Sequence, residues 1–255
     1  MSFYFSETQS LNDRKRGLVI PKPSAVLANF LGILSGDGYI YHGRKDHKYI
    51  IEIVGNRLND RQFLLNHVVN LFERLFHIIP HVYDRKSCNV MMIIVRSKGI
   101  YHFLKGIGFP SGKKTGLHIP DWAARSEECT RAFVRGIFDT DGSLCLKKNH
   151  GKREFYPVVH IALKEERLIR EIAAWAREHG MSQYVGKYSY IDERTNKQYT
   201  KFNLQISGYK NVGIWMNLVG TDNPHNLNKW RKTKGWDERD LNPRSHELQS
   251  CAFPG

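Results

Sequence analysis

Two aspartates close the same kind of stretch. Asp37 ends Ala28-Asn29-Phe30-Leu31-Gly32-Ile33-Leu34-Ser35-Gly36, and Asp141 ends Ala132-Phe133-Val134-Arg135-Gly136-Ile137-Phe138-Asp139-Thr140. Gly38 and Gly142 follow them. Carboxylates are hard oxygen ligands of the kind magnesium takes. Asp-Gly is also an ordinary turn dipeptide, so either copy alone says little. The repetition is what points to chemistry. Its offset, 141 − 37 = 104 residues, is a little under half of the 255-residue chain. A period that long means two similar half-domains rather than a solenoid of short units.

The composition suggests what such acids would act on. Lys and Arg number 39 against 25 Asp and Glu, a formal net charge of +14. That excess favours a nucleic-acid partner, bound by charge neutralisation and counterion release; a merely solvated basic surface is the plainer alternative. Two acids in a basic protein suggest metal-assisted chemistry on an acidic polymer. Cys88, Cys129, Cys145 and Cys251 are scattered, without a C-x-x-C pair or a histidine at zinc spacing. Reduced thiols in an intracellular protein fit that pattern better than a zinc site or a disulfide framework. No apolar run approaches the roughly 18 residues of a membrane span, and the start lacks a signal-peptide core.

The elements that must position the acids are helices. Ala28, Gly32 and Gly36 recur every four residues, as do Ala132, Gly136 and Thr140, so each set lines one helix face. Glycine inside a helix costs about 1 kcal/mol relative to alanine. Close packing of the two helices through Ala28, Gly32, Ala132 and Gly136 would offset it; a buried core helix is the alternative for either one. A carboxylate at a helix C-terminus meets the negative end of the dipole, at a cost of roughly 0.3–1 kcal/mol, which a divalent cation would relieve. Gly38 and Gly142 are expected as left-handed C-terminal caps. Asp139 has Ser35 as its counterpart, so it is left as a capping or interface acid.

Ser24 is expected to cap a helix at about 25–36. Strands at 39–42 and 48–54 should follow, then an amphipathic helix near 59–76, strands near 79–84 and 89–96, and a helix at 98–106. The order repeats with a helix near 127–139, strands near 143–148 and 154–163, a helix near 165–179, strands near 183–191 and 198–206, and a helix from about 209. This divides the chain into an N-terminal tail (1–23), a first half (24–108), a linker (109–126), a second half (127–230) and a C-terminal tail (231–255).

Phe-Leu-Gly-Ile-Leu-Ser-Gly-Asp-Gly, ending at Gly38, and Val-Arg-Gly-Ile-Phe-Asp-Thr-Asp-Gly, ending at Gly142, resemble the two namesake motifs of the LAGLIDADG homing endonucleases. The form they resemble is the single-chain, two-motif type, and the resemblance covers about residues 24–230. It implies an α+β fold, a pseudo-twofold αββαββα pair whose two antiparallel sheets form a saddle over double-stranded DNA. It also implies metal ligation by Asp37 and Asp141, with Gly36 and Thr140 beside them, for Mg2+ or another divalent cation such as Mn2+ or Ca2+. Lys98 and Lys210, which open equivalent helices, and Asn56 and Lys164, which follow equivalent strands, would organise attacking water. Solvated helix-start lysines are the alternative reading of Lys98 and Lys210. Ser35 in place of an acid, and Arg135 at a usually apolar position, depart from the motif without removing a ligand.

The function implied is site-specific double-strand cleavage by a monomer, leaving short 3′ overhangs. An RNA maturase acting on intron RNA, or a non-catalytic DNA-binding regulator, are the alternatives. Neither chain end carries splicing residues, so an intron-encoded or free-standing enzyme is expected.

Strand periodicity supplies a surface for DNA. Thr200–Ile206 alternates strictly, with Phe202, Leu204 and Ile206 facing a core and Lys201, Asn203 and Gln205 facing out. Lys48 and Glu52 share one side of their strand, Tyr156 and His160 one side of theirs, and Lys187 is added from the neighbouring strand. Such side chains can read base edges in the major groove. The basic hairpin tips, at Arg44, Arg85 and Lys147, suit phosphate contacts.

Overall fold

A computed structural model describes residues 8–43, 48–148, 155–193 and 196–237. It divides into two compact units, Met1–Thr140 and Asp141–Gly255. The first opens with a short helix, α1 (Leu11–Lys15), then α2 (Ala25–Asp37), capped by Ser24 as expected. A hairpin follows, β1 (Gly38–Gly43) and β2 (Lys48–Asn56). The amphipathic helix comes in pieces: α3 (Arg61–Phe63), a π turn at Leu64–Val68, and α4 (Val69–Phe76). Then come β3 (His81–Arg85), β4 (Val90–Arg96), α5 (Lys98–Gly106) and the short α6 (Asp121–Ala124). The second motif helix, α7 (Glu127–Asp141), groups with this unit through Thr140.

The second unit repeats the pattern. It holds β5 (Gly142–Lys148), β6 (Phe155–Leu163), α8 (Glu166–Glu178), β7 (Gln183–Asp192), β8 (Lys197–Ser207), α9 (Tyr209–Leu218) and α10 (Pro224–Asp237). α10 runs across the boundary expected at 230. The α+β expectation holds, with two four-stranded antiparallel sheets in the orders β1-β2-β4-β3 and β5-β6-β8-β7.

In each sheet one face is apolar and covered. Ile40, Ile51, Ile53, Met91, Ile93 and Val95 are almost fully buried in the first. Phe30 of α2 packs edge-on against Phe72 and Phe76 of α4, at ring distances of 5.0 and 5.5 Å. In the second, Leu144, Val159, Ile161, Leu204 and Ile206 do the same, and Trp175 of α8 meets Trp215 of α9 edge-on at 6.4 Å. In β8 strict period-2 alternation marks the buried face in the sequence itself, whereas β4 is apolar on both faces up to Arg96 and its pairing decides which side is buried.

Two expectations are corrected here. Gly38 has φ −90° and ψ 163°, so it is extended rather than left-handed, and Gly142 is absent from the left-handed glycines. Each motif helix passes directly into a strand, which leaves no room for a capping turn. Glycine is needed at 38 because a Cβ there would strike Leu34 backbone 2.5 Å away.

The N-terminal segment is also more than a tail. Asp13 is fully buried, accepts from Gly99 N–H (3.1 Å), and sits at the N-terminus of α5. Leu18 is buried, and Val19 N–H donates to the Phe76 carbonyl (3.2 Å). A Cβ on Gly99 would lie 2.5 Å from Leu18, so α5 is shaped to receive this segment.

Candidate metal centre and nucleic-acid face

The stripe of small residues is a backbone-to-backbone crossing. A Cβ on Gly32 would collide with the Phe133 carbonyl and lie 3.1 Å from Gly136 Cα. One on Gly136 would lie 2.6 Å from Ile33 N and collide with the Asn29 carbonyl. Any side chain at either position pushes α2 and α7 apart. Ala28 is fully buried, and Ala132 contributes its carbonyl, which accepts from Asn29 Nδ2 at 3.2 Å. Asn29 Oδ1 in turn accepts from His67 Nε2 at 2.8 Å, so one amide ties α2 to α7 and to the π turn. The motif spacing gave no hint of Asn29; an asparagine amid apolar helix residues was the available signal.

Asp37 is the last residue of α2 and is half-buried. It lines a shallow hollow with Val54, Gly55, Asn56, Asp60 and Asn89. Asn56 is therefore brought to the acid as expected. Its Oδ1, however, accepts from the N–H groups of Leu58 and Asn59 at 2.9 and 3.0 Å, which closes the turn after β2. Only the amide nitrogen faces other work.

The carbonyls beside Asp37 meet a cation that the spacing did not reveal. Lys114 Nζ donates to the Ser35 carbonyl (2.9 Å) and to the Gly36 carbonyl. The Gly36 carbonyl, expected as a metal ligand, thus carries an ammonium. Lys114 comes from the stretch expected as a bare linker. That stretch is docked: Gly112 N–H donates to the Ile40 carbonyl (2.9 Å), Tyr101 OH to Ser111 Oγ (3.0 Å), and Leu117 and Ile119 are buried. Gly112 and Gly116 take φ of +77° and +73° with open space around them, so they are required for conformation and not for room. They bend the segment on either side of Lys114.

Lys98 is placed elsewhere. Gly38 pairs with Ile53 and Ile53 with Ile93, whereas Ile50 pairs with Tyr41 and with Arg96. Three residues, about 10 Å, separate those levels, and Lys98 lies beyond Arg96. Because β4 runs antiparallel to β2, the helix after β4 starts at the hairpin end of the sheet, away from Asp37. There Lys98 joins His42 and burial in holding the His102 pKa below its ordinary value, with burial the larger cause. Lys210 repeats this error. It follows Ser207, which pairs with Val158, three residues from Ile161, the partner of Gly142. Lys164, by contrast, follows Leu163 on the Asp141 side, with Nζ 4.9 Å over the Tyr199 ring.

At the end of α7, Thr140 Oγ1 donates to the carbonyls of Gly136 (2.9 Å) and Ile137 (3.1 Å), so its hydroxyl is committed within the helix. Asp139 is buried at 2% exposure, in keeping with a packing role. No group of three or more His, Cys, Asp or Glu suited to a metal occurs among the described residues. Magnesium does not require one, since it is commonly held by one or two carboxylates with waters and substrate phosphates.

The outer sheet faces collect most of the expected DNA-contact residues. On the second sheet His160 pairs with Gln205, and Lys201 and Asn203 alternate with it along β8. Tyr156 lies on the same side of β6, paired with Lys147, whose Nζ donates to Gln205 Oε1 at 3.2 Å. Burial, helped by Lys147 and Lys201, holds the His160 pKa below its ordinary value. Lys187 is a correction. It pairs with Phe202, one residue out of step with Lys201, and so lies on the opposite face. On the first sheet Lys48 and Glu52 share the outer face of β2, and Arg85 shares that of β3. Burial raises the Glu52 pKa, and Arg85 opposes the rise. Arg44 lies outside the described residues.

Comparison with known proteins bears on the fold. The family model of a LAGLIDADG-like domain matches residues 128–213. The chain is 24% identical over 213 residues to a DNA polymerase of Thermococcus kodakarensis, covering 79% of this chain and 11% of that protein. It is 26% identical over 178 residues to an uncharacterized protein of Methanocaldococcus jannaschii, covering 69% and 60%. It therefore spans less than two thirds of either relative. Among solved structures, the homing endonuclease I-DmoI in complex with DNA and calcium matches at a TM-score of 0.54 and 15% identity, over 82% of this chain and 97% of that one. The LAGLIDADG meganuclease I-AabMI bound to uncleaved DNA matches at 0.51 and 10% identity, over 83% and 91%. The chain carries a LAGLIDADG-like domain and has the duplicated, single-chain LAGLIDADG fold.

Proposed function

We propose that this chain is a divalent-metal-dependent endonuclease that cuts double-stranded DNA at a specific long site. The observation that carries the proposal is the end of α2. A carboxylate sits beside main-chain carbonyls that already attract a cation, in a hollow that also offers an amide. The carboxylate there suits magnesium, manganese or calcium, with waters and substrate phosphate completing the shell. A bound divalent cation would supply Lewis acidity toward the scissile phosphate.

Asp37 and Asp141 would each hold the cation, one for each strand. Asn56 Nδ2 would donate to a water or a phosphate oxygen and help align it. Lys114 would screen the negative end of α2 and offer charge to the cut strand. Lys164 would meet phosphate on the Asp141 side, whereas Lys98 and Lys210 would serve as backbone contacts away from the chemistry. The outer faces would hold DNA through Lys48, Glu52, Arg85, Lys147, Tyr156, His160, Lys201, Asn203 and Gln205. The protein would act as a monomer, leaving short 3′ overhangs, in the service of intron homing.

The test is cleavage of a plasmid library with a randomised insert, with and without magnesium. Linear product that requires the metal, and that is lost in Asp37→Asn, is expected. Selective DNA binding without cleavage in magnesium or manganese would favour the non-catalytic regulator instead.

A further inference from the structure

The two outer sheet faces are equivalent in register and opposite in chemistry. Gly38–Ile53–Ile93 and Gly142–Ile161–Leu204 are matching rungs, each beginning just after a motif acid. Counting outward from them, Ile94 is the counterpart of Gln205, Met92 of Asn203, and Val90 of Lys201. The hydrogen-bonding row of the second sheet is an apolar row in the first. Neighbouring strands extend the contrast. Ile50 and Val54 share the face of Met92 and Ile94, interrupted by the half-buried Glu52 between them, and the stacked Tyr39 and Tyr41 stand at its edge, 39% and 42% exposed.

Ile50, Val54, Val90, Met92, Ile94, Tyr39 and Tyr41 are all at least partly open to solvent, whereas Asn203 on the second sheet is nearly buried. An open apolar strip asks for an occupant, and its surroundings select one. Lys48, Arg85 and Arg96 border it, all exposed. A cation-rimmed apolar strip complements a polyanion that presents apolar groups. The major groove of DNA does so through the thymine 5-methyl, whereas Asn, Gln and Lys read adenine and guanine by hydrogen bonds.

We infer that the two sheets read their stretches of the target by different means. The first sheet reads thymine methyls through Ile50, Met92 and Ile94; the second reads purine edges through Lys201 and Gln205. The target is therefore lopsided, with one stretch thymine-rich on a contacted strand. This rests on the proposal that the chain binds duplex DNA.

The experiment is selection from a fully randomised duplex library with the Asp37→Asn chain, followed by replacing thymine with deoxyuridine in the selected site. That exchange removes only the methyl group. Affinity should fall roughly fourfold per contacted thymine, the worth of one buried carbon, in one stretch and not in the other. Met92→Ala with Ile94→Ala should erase that sensitivity while leaving purine preferences of the other stretch in place. Selective binding with no deoxyuridine effect, or an equal effect in both stretches, overturns the inference and leaves the DNA-binding proposal standing. A dimer that Ile94→Gln dissolves would make the strip a self-association face and also overturn it. No enrichment of any duplex overturns both.

Discussion

The ends of the two motif helices carry the same residue pattern and satisfy it differently. At the end of α2 the carbonyls of Ser35 and Gly36 accept from Lys114, a residue 77 positions beyond Asp37 (114 − 37). At the end of α7 the carbonyls of Gly136 and Ile137 accept from Thr140, within the same turn. Each helix also bonds a hydroxyl one turn back, Ser35 Oγ to the Leu31 carbonyl (2.7 Å) in α2 as Thr140 does in α7, and the α2 end adds the ammonium of Lys114, a distant charge. A duplicated motif thus keeps the acid and the close-packing glycine, whereas the groups that complete the helix end are free to diverge. The outer faces diverge in the same way, Met92 standing where the other half has Asn203.

The largest effect should come from what the two ends share. Asp37→Asn and Asp141→Asn should each lower double-strand cleavage by on the order of a hundredfold or more, since losing even a supporting metal-site group costs 10–100-fold. Gel shifts should stay near wild type, because each change removes a negative charge facing phosphate. Full cleavage by either variant would remove that acid from the mechanism. Next is the crossing that both helices need. Gly32→Leu must displace the Phe133 carbonyl and should cost about 1–3 kcal/mol or more, seen as a melting temperature lower by several degrees. Gly136→Leu should match it. Unchanged melting in both would mean that the two helices do not cross backbone to backbone at these glycines.

The first half alone has the N-terminal segment docked on it, and Asp13 measures what that is worth. Burial by itself would raise the Asp13 carboxyl, but hydrogen bonds from Ser97, Gly99 and Ser10 outweigh it and hold the pKa below the ordinary value. A folded pKa below the unfolded one contributes stability that is present above about pH 4, the unfolded value for aspartate, and is lost as pH falls through the folded value. Asp13→Asn should cost about 1.5–3 kcal/mol at neutral pH, the scale of a hydrogen bond to a charged group. It should also flatten the acid side of the melting-temperature profile. A parallel shift at every pH would contradict the assignment.

A smaller change should separate the two helix ends. Lys114→Met removes the cation from the α2 end only, so one strand should be cut roughly tenfold more slowly than the other, about 1.4 kcal/mol. Nicked plasmid should accumulate, and equal slowing of both strands would argue against a local role. The smallest effect tests the sheet faces. Lys147→Ala should reduce the salt slope of DNA binding by about 0.9, one phosphate contact. Lys187→Ala, from the opposite face, should leave it unchanged.

How much of this was legible follows from what each residue depends on. The face of Lys201, Asn203 and Gln205 came from alternation within seven residues, and the crossing of Gly32 over Gly136 from a four-residue spacing found twice. Lys187 was misassigned because its face depends on pairing with Phe202, a partner that its own strand does not specify. Lys98 and Lys210 lie in equivalent helices, one residue out of register since Tyr209 is the counterpart of Lys98, and both lie away from the acids. Equivalence between halves says where two residues correspond, and not what they are near.

The chain by itself determined the duplication, the motif helices with their terminal acids, the order of helices and strands, and the inward and outward sides of the best-patterned strands. Each is written in spacings shorter than one element, where helix and strand geometry leave a period. Only the tertiary structure decided that Lys114 reaches the end of α2, that Asp13 caps α5, and that α5 begins at the far end of its sheet. Those contacts join segments tens of residues apart. Strand order and the bends at Gly112 and Gly116 set them, and neither leaves a periodic trace.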